Sequence, residues 1–321
     1  MAASPNPCGP ALADWCGRHL SSPERIAVAY SAGADSTALL LAAHDRWPGR
    51  VSAIHIHHGL QAAADIFEQT ARELCQRLGL DLTVLRVNAG HAPGQSPEDA
   101  ARRARYRALA EAAKALQADA VLLGQHADDQ AETILLALSR GAGLPGLAGM
   151  AGRFERDGVA FGRPLLELTA QSMREWLLAE HHPFVDDPTN SDLRYTRNRI
   201  RTVLAPAWQA CFPGYREALA RSARHAAQAQ ALLEEVAGQD LAVTGEPPRL
   251  ATLQGLGRAR QANALRLWLK SCAGNAPSEV QLDELLDQID ACRTRGHCLR
   301  IRVAAGFVVR DGDRLRYEPP I

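Results

Sequence analysis

The chain has little with which to build a covalent or redox framework. Its seven cysteines (Cys8, Cys16, Cys75, Cys211, Cys272, Cys292 and Cys298) are odd in number and contain no CxxC pair. That pattern argues against a disulfide scaffold and against a cysteine-based zinc site. Long apolar runs are also missing: no stretch reaches the ~18 uncharged apolar residues that a membrane-spanning helix needs. The opening MAASPNPCGPALADW lacks the basic head and clean apolar segment of a secretory signal, so a cytoplasmic protein without a membrane role is expected. No charge dominates either, because 36 Lys+Arg stand against 36 Asp+Glu. A nucleic-acid partner would therefore have to be met by a local basic patch. Internal repeats and long low-complexity segments are absent.

What is present is a globular composition, 46% hydrophobic and 22% charged, over 321 residues. At ~100–200 residues per domain, that length predicts two domains. Apolar, β-branched runs at 26–30 (IAVAY), 51–56 (VSAIHI), 81–87 (DLTVLRV) and 120–124 (AVLLG) alternate with helical spacing over 37–47, 66–78 and 97–116. This alternation predicts parallel βαβ units with helices on both faces of the sheet. In QSPEDAARRARY, Ser96 reads as an N-cap, Pro97 as the first helical residue and Asp99 as its capping-box partner. After GLPGLAGM (143–150) the alternation stops. A helix is expected in QSMREWLLAE and a long one from Tyr215 to about Glu235, then a break at 245–250. Two amphipathic helices and a hairpin turning at Asp311-Gly312 follow, which makes a second, small α+β domain.

Four constellations carry chemistry. The first is the small-residue loop Ser31-Ala32-Gly33-Ala34-Asp35-Ser36 between a strand and a helix, a place where backbone N–H groups and the positive helix end can hold phosphate. It has neither the lysine of a P-loop nor a GxGxxG, and taken alone it reads as a tight βα turn; only the rest of the chain tips the balance toward phosphate. The second is GQHADDQAET, where the strand at 120–124 delivers His126, Asp128, Asp129 and Glu132 to its C-terminal end. A single acid there would merely complement the helix dipole, whereas a histidine with three acids offers the hard oxygen donors that nucleotide-bound magnesium needs. The third, HIHHGLQ, places His55, His57 and His58 at a strand end. With no acid nearby in sequence it reads as a polar wall of a nucleotide pocket rather than a metal site. The fourth is basic: RRARYR (102–107) and DDPTNSDLRYTRNRIR (186–201). Between residues 192 and 224 seven arginines face only Asp192 and Glu217, and arginine interleaved with Tyr195 and Asn198 suits phosphate and base contacts.

In combination these segments resemble the tRNA(Ile)-lysidine synthetases among the PP-loop (N-type) ATP pyrophosphatases. The matches are SAGADS for the SGGxDS loop, HIHHGL, EDAARRARY, HADDQAETILLALSRGAGLPGLAGM, RPLL at 163–166 and DDPTNSDLRYTRNRIR, in the family's order from 26 to 201. The resemblance implies an α/β fold. A parallel-sheet PP-loop (adenine nucleotide alpha hydrolase-like) domain would span 1–215, a helical linker 216–245 and a small tRNA-binding domain 246–321. It implies an AMP-forming ligase that adenylates the carbonyl oxygen at carbon 2 of the wobble cytidine in a CAU-anticodon tRNA(Ile). Free L-lysine then displaces AMP. It assigns ATP to Ser31, Ala32, Gly33, Ala34, Asp35, Ser36 and His55, and Mg2+ to Asp35 and Asp129. Lysine falls to Asp128, Asp129 and Glu132, with Asp35, Asp129 and Glu132 catalytic. Arg102, Arg105, Arg194, Arg197, Asn198 and Arg201 would face tRNA, and a homodimer is left open.

Two other readings compete. Another PP-loop tRNA-modifying enzyme, such as a thiolase using a persulfide or a cluster, would need paired cysteines at its site. A tRNA- or nucleotide-binding protein that has lost catalysis would make Ala32, which stands where the family pattern has glycine, its scar. Clustered acids that repel one another are of no use to an idle site, which argues against decay. Ala32 is accordingly expected at negative φ, with its methyl group turned away from the phosphates.

Overall fold

The four apolar runs form β1 (Ile26–Ala29), β2 (Val51–His57), β3 (Asp81–Arg86) and β4 (Ala120–Leu122) in a computed structural model of the chain. The structure describes residues 4–20, 22–57, 63–87, 97–187, 189, 192–274, 276–294 and 297–319. Ser96 and His58, named above, lie outside these residues. Packing divides the chain into two units, Met1–Arg224 and His225–Ile321.

The first unit holds α1 (Cys8–His19), α2 (Ala34–Arg46), α3 (Ala63–Leu78), α4 (Pro97–Ala115), α5 (Ala127–Ser139), α6 (Leu144–Leu147), β5 (Arg153–Arg156), β6 (Val159–Gly162), α7 (Ala170–Ala179), α8 (Thr196–Arg199) and α9 (Ala205–Cys211). Its six-stranded sheet runs β3-β2-β1-β4-β6-β5, parallel except for the β5–β6 pair. Successive residues of a strand face opposite sides. Ile26 and Val28 therefore join one core with α1, α2, α3 and α7, while Ala27 joins Phe161 and α4 on the other side. Each fully buried large side chain, such as Leu12, Leu39, Ile54 or Met173, contributes roughly 1.5–3 kcal/mol of transfer free energy.

Helix α1 and the β5–β6 hairpin are among the elements of this unit that have no counterpart in the sequence analysis. Helix α1 lies in the proline-containing N-terminal stretch and is held by the buried face Cys8, Leu12, Trp15 and Cys16. The β5–β6 hairpin turns at Asp157 (φ 52°) and Gly158 (φ 72°), the Asp-Gly pair that a two-residue hairpin with positive φ at both positions favours.

The second unit packs α11 (Leu250–Gln254), α12 (Arg258–Ala273) and α13 (Glu279–Ala291) on the sheet β7 (Arg300–Val303), β8 (Gly306–Asp311) and β9 (Arg314–Glu318). Helix α10 (Tyr215–Thr244) contains the division between units. The expected single hairpin is a three-stranded antiparallel meander, because the chain also turns between Val303 and Gly306. Ala304 and Ala305 fill that turn, and alanine carries no turn signal. Among the described residues no helix is long and apolar enough to cross a membrane.

Candidate active site

The C-terminal edge of the parallel strands opens into a cleft of about 1160 Å³. Its floor is the loop between β1 and α2. Ser31 N–H donates to Ser36 Oγ (3.2 Å), the two hydroxyls meet at 3.0 Å, and the Ser36 hydroxyl also reaches the Gly33 carbonyl at 3.1 Å. These bonds lock the turn. Gly33 starts α2 with no side-chain cap, which leaves the first-turn N–H groups beside Ala34, Asp35 and Ser36 for an anion. Gly124, after β4, permits this packing. A Cβ there would stand 3.1 Å from Ser36 N and 3.3 Å from the Asp35 carbonyl carbon.

Ala32 corrects one expectation. Its φ is +66°, in the left-handed region that costs an L residue roughly 1–2 kcal/mol. The turn demands that conformation because the Ala32 carbonyl accepts the Val185 N–H at 2.9 Å, tying the loop to the FVDDPTN segment. The methyl group is buried in the core, so Ala32, unlike Ser31, Gly33, Ala34, Asp35 and Ser36, does not line the cleft, although the resemblance counts it among the ATP residues.

Helix α5 brings Asp128 and Glu132 into the lining of the same cleft, with Asp129 beside them but not among the lining residues. His126 is its N-cap, sharing a capping box with Asp129. Its imidazole lies among three carboxylates: Nε2 is 3.5 Å from Asp35 and 3.4 Å from Asp129, and Nδ1 is 3.5 Å from Asp128. Burial lowers the pKa of the ring, but Asp128, Asp35 and Asp129 outweigh it and raise the value to about 10. Nδ1 accepts the Asp129 N–H of the capping box, at 3.5 Å, only when it carries no proton; in the charged ring it is a donor, with Asp128 3.5 Å away. Burial also raises Asp128, yet His126, the Ala170 N–H (2.9 Å) and Arg216 (2.5 Å) hold it well below the usual carboxylate range. Glu132 is 3% exposed. Burial pushes its carboxyl up, against the opposing charge of Arg201.

The remaining candidates separate. His55 faces the cleft and pairs its Nδ1 with the Tyr30 carbonyl at 2.9 Å. His57 has acid partners after all, Asp65 at 3.2 Å and Glu68 at 4.0 Å, supplied by α3 across a gap in sequence. Arg105 lines the cleft, while Arg102 lies over the Tyr106 ring at 5.0 Å. Arg194 pairs with Asp192 on the surface. Arg197 stands 3.7 Å from Glu132. Asn198 spends its amide on the carbonyls of Thr189 (2.8 Å) and Asp192 (2.9 Å), and Arg201 reaches Glu132 at 2.8 Å and Asp129 at 3.5 Å. The sequence reading did not single out Arg174, paired with Asp186, or Arg216 as site residues, although both line the cleft. Their partners are far away in sequence, so no local pattern announces them.

Residues 12–208 match the family model described as PP-loop domain, and residues 249–316 match the TilS substrate binding domain. The chain is 59% identical over 298 residues to the tRNA(Ile)-lysidine synthase of Polaromonas naphthalenivorans, covering 93% of this chain and 90% of that protein. The chain belongs to the tRNA(Ile)-lysidine synthase family. It is also 43% identical to the synthase of Burkholderia pseudomallei, covering 91% of this chain and 61% of that longer protein. A U34-tRNA thiolase from Methanococcus maripaludis shares the fold, with a TM-score of 0.58 at 13% identity, covering 68% of this chain and 77% of that one. That structure holds a [4Fe-4S] cluster, whereas no cysteine is among the residues lining the cleft here.

Among the described residues no group of three or more His, Cys, Asp or Glu is arranged to hold a metal ion. Magnesium at nucleotide phosphates needs no such cage, since it takes one or two carboxylates plus phosphate oxygens and water. Asp35 and Asp129, both beside His126 Nε2, fit that requirement in a family whose domain uses ATP.

Proposed function

We propose that this chain ligates lysine to carbon 2 of the wobble cytidine of CAU-anticodon tRNA(Ile), consuming ATP and releasing AMP and pyrophosphate. The observation that carries this reading is the 59% identity to a tRNA(Ile)-lysidine synthase over 93% of the chain. The cleft supports it. Adenylation makes an O–P bond from the cytidine carbonyl oxygen to the α-phosphate and releases pyrophosphate, whose charge the α2 N-terminus and Ser31-Ser36 loop would stabilise. A magnesium ion on Asp35 and Asp129 would add charge neutralisation at the phosphates. In the second half, the lysine ε-amine attacks carbon 2, loses a proton, and AMP departs with the oxygen it activated.

Asp128 is fully engaged by His126, Arg216 and the Ala170 N–H, so the amine falls to Asp129 and Glu132. Arg105 at the cleft wall, with exposed Arg194 and half-exposed Arg197, is offered to tRNA, along with the small domain over 246–321. An unstacked anticodon base can enter such a cleft at low cost.

The test is incubation with ATP, magnesium, labelled lysine and a CAU-anticodon tRNA(Ile) transcript. Label should enter the tRNA, and Asp129→Asn should abolish incorporation while leaving the fold intact. Wild-type protein that transfers no lysine where a known synthase does would overturn the proposal.

A further inference from the structure

The sequence pattern assigns Arg201 to tRNA, but its guanidinium is committed elsewhere. Nε donates to Glu132 Oε1 at 2.8 Å, and Nη2 lies 3.5 Å from Asp129 Oδ1. One planar fork thus bridges Glu132, which lines the cleft, and the neighbouring Asp129, a geometry that arginine provides and a point-like ammonium does not. The arginine sits on an unusual turn: Ile200–Leu204 is π-helical. Such an inserted residue shifts the side chains that follow around the helix, and π-turns recur at functional sites. The segment is further held by Asn198, which staples it to Thr189 and Asp192.

The other oxygen of Glu132 is the informative atom. Glu132 is 3% exposed and lines the cleft, and its Oε2 has no hydrogen-bond partner. Arg197 Nη1 stands 3.7 Å away, within ion-pair range and beyond hydrogen-bonding distance. A buried carboxylate oxygen without a donor is costly, and a cationic donor arriving through the cleft would remove that cost. Lysine brings such a group, with up to three N–H donors on each ammonium.

We propose that Arg201 is a positioning residue for the lysine substrate: by bridging Asp129 and Glu132 it presents Glu132 Oε2 to the substrate's amine. The proposal rests on the lysine-ligating reading above. It makes Arg201 part of the amine subsite and not a contact to the tRNA backbone.

The test is steady-state lysidine formation by the full chain, varying lysine, tRNA and ATP in turn for wild type, Arg201→Ala and Arg201→Lys. Arg201→Ala should raise the KM for lysine by about tenfold or more, as expected when a buried carboxylate loses a charged partner. The KM values for tRNA and ATP should stay within about twofold. Added guanidinium ion should lower the lysine KM of Arg201→Ala, and Arg201→Lys should fall between wild type and Arg201→Ala. If Arg201→Ala fails to fold, a raised lysine KM in Arg201→Lys, with ATP binding retained, carries the same meaning. A rise in tRNA KM with an unchanged lysine KM would overturn the proposal, as would a lysine KM in Arg201→Lys equal to that of wild type should Arg201→Ala not fold. Wild-type turnover measured in parallel keeps this distinct from failure of the functional reading, in which no variant and no wild type would transfer lysine.

Discussion

Replacing Ala32 by glycine probes the phosphate-binding loop through opposing effects of similar size. At φ 66° the alanine is strained by roughly 1–2 kcal/mol, which glycine would relieve. The same change deletes a methyl group that is 0% exposed, a loss of about 0.8 kcal/mol. It also frees the unfolded backbone, costing a further ~0.4–1 kcal/mol. The sum lies within about 1 kcal/mol of zero, or at most ~2–4 °C in the unfolding midpoint for a unit of this size. Urea unfolding of wild type and Ala32→Gly measures it, and ATP titration should show affinity unchanged within about twofold because the methyl is not on the cleft wall. Stabilisation by more than ~2 kcal/mol would refute the offset, because the buried methyl would then contribute nothing. Ala32→Val supplies the contrast: a β-branched residue at positive φ in a filled core should lose more than ~2 kcal/mol.

Gly124→Ala should drive a methyl group into the Ser36 and Asp35 backbone. ATP affinity should fall about tenfold or more, and calorimetry showing normal binding would refute the close-approach argument. His126, raised to about 10 by three carboxylates despite burial, stabilises the fold while it is charged. Its folded pKa lies above its unfolded value, so the contribution is complete below about pH 6.5 and is lost as pH rises toward 10. Without ATP or magnesium, denaturant unfolding should show stability declining across that window, and His126→Asn should flatten the decline. Asn198→Ala removes donors from the Thr189 and Asp192 carbonyls. It should cost ~1–3 kcal/mol and speed proteolysis near 189–198, which limited digestion would detect.

The sequence by itself determined the strand-helix alternation, the loop at 31–36 and the acids after β4, because each is a local pattern: a period, a turn or a helix start. It also carried enough family-specific spacing to assign the chain before any geometry was known. It could not show which charges meet. The pairs Arg201–Glu132, Arg216–Asp128 and His57–Asp65 join residues 69, 88 and 8 positions apart. Only folding of the sheet edge and its covering segments makes them neighbours. For that reason Arg201 reads as a basic tRNA contact in the sequence and as part of an acid-bridging cluster in the fold.

The hairpin at 153–162 carries a local signal in Asp157-Gly158, whereas the meander turn at Ala304-Ala305 carries none. The conformation of Ala32 belongs with the tertiary decisions. Alanine's local preference is for negative φ, and the hydrogen bond from Val185, 153 residues downstream, holds it at positive φ while the core buries its methyl.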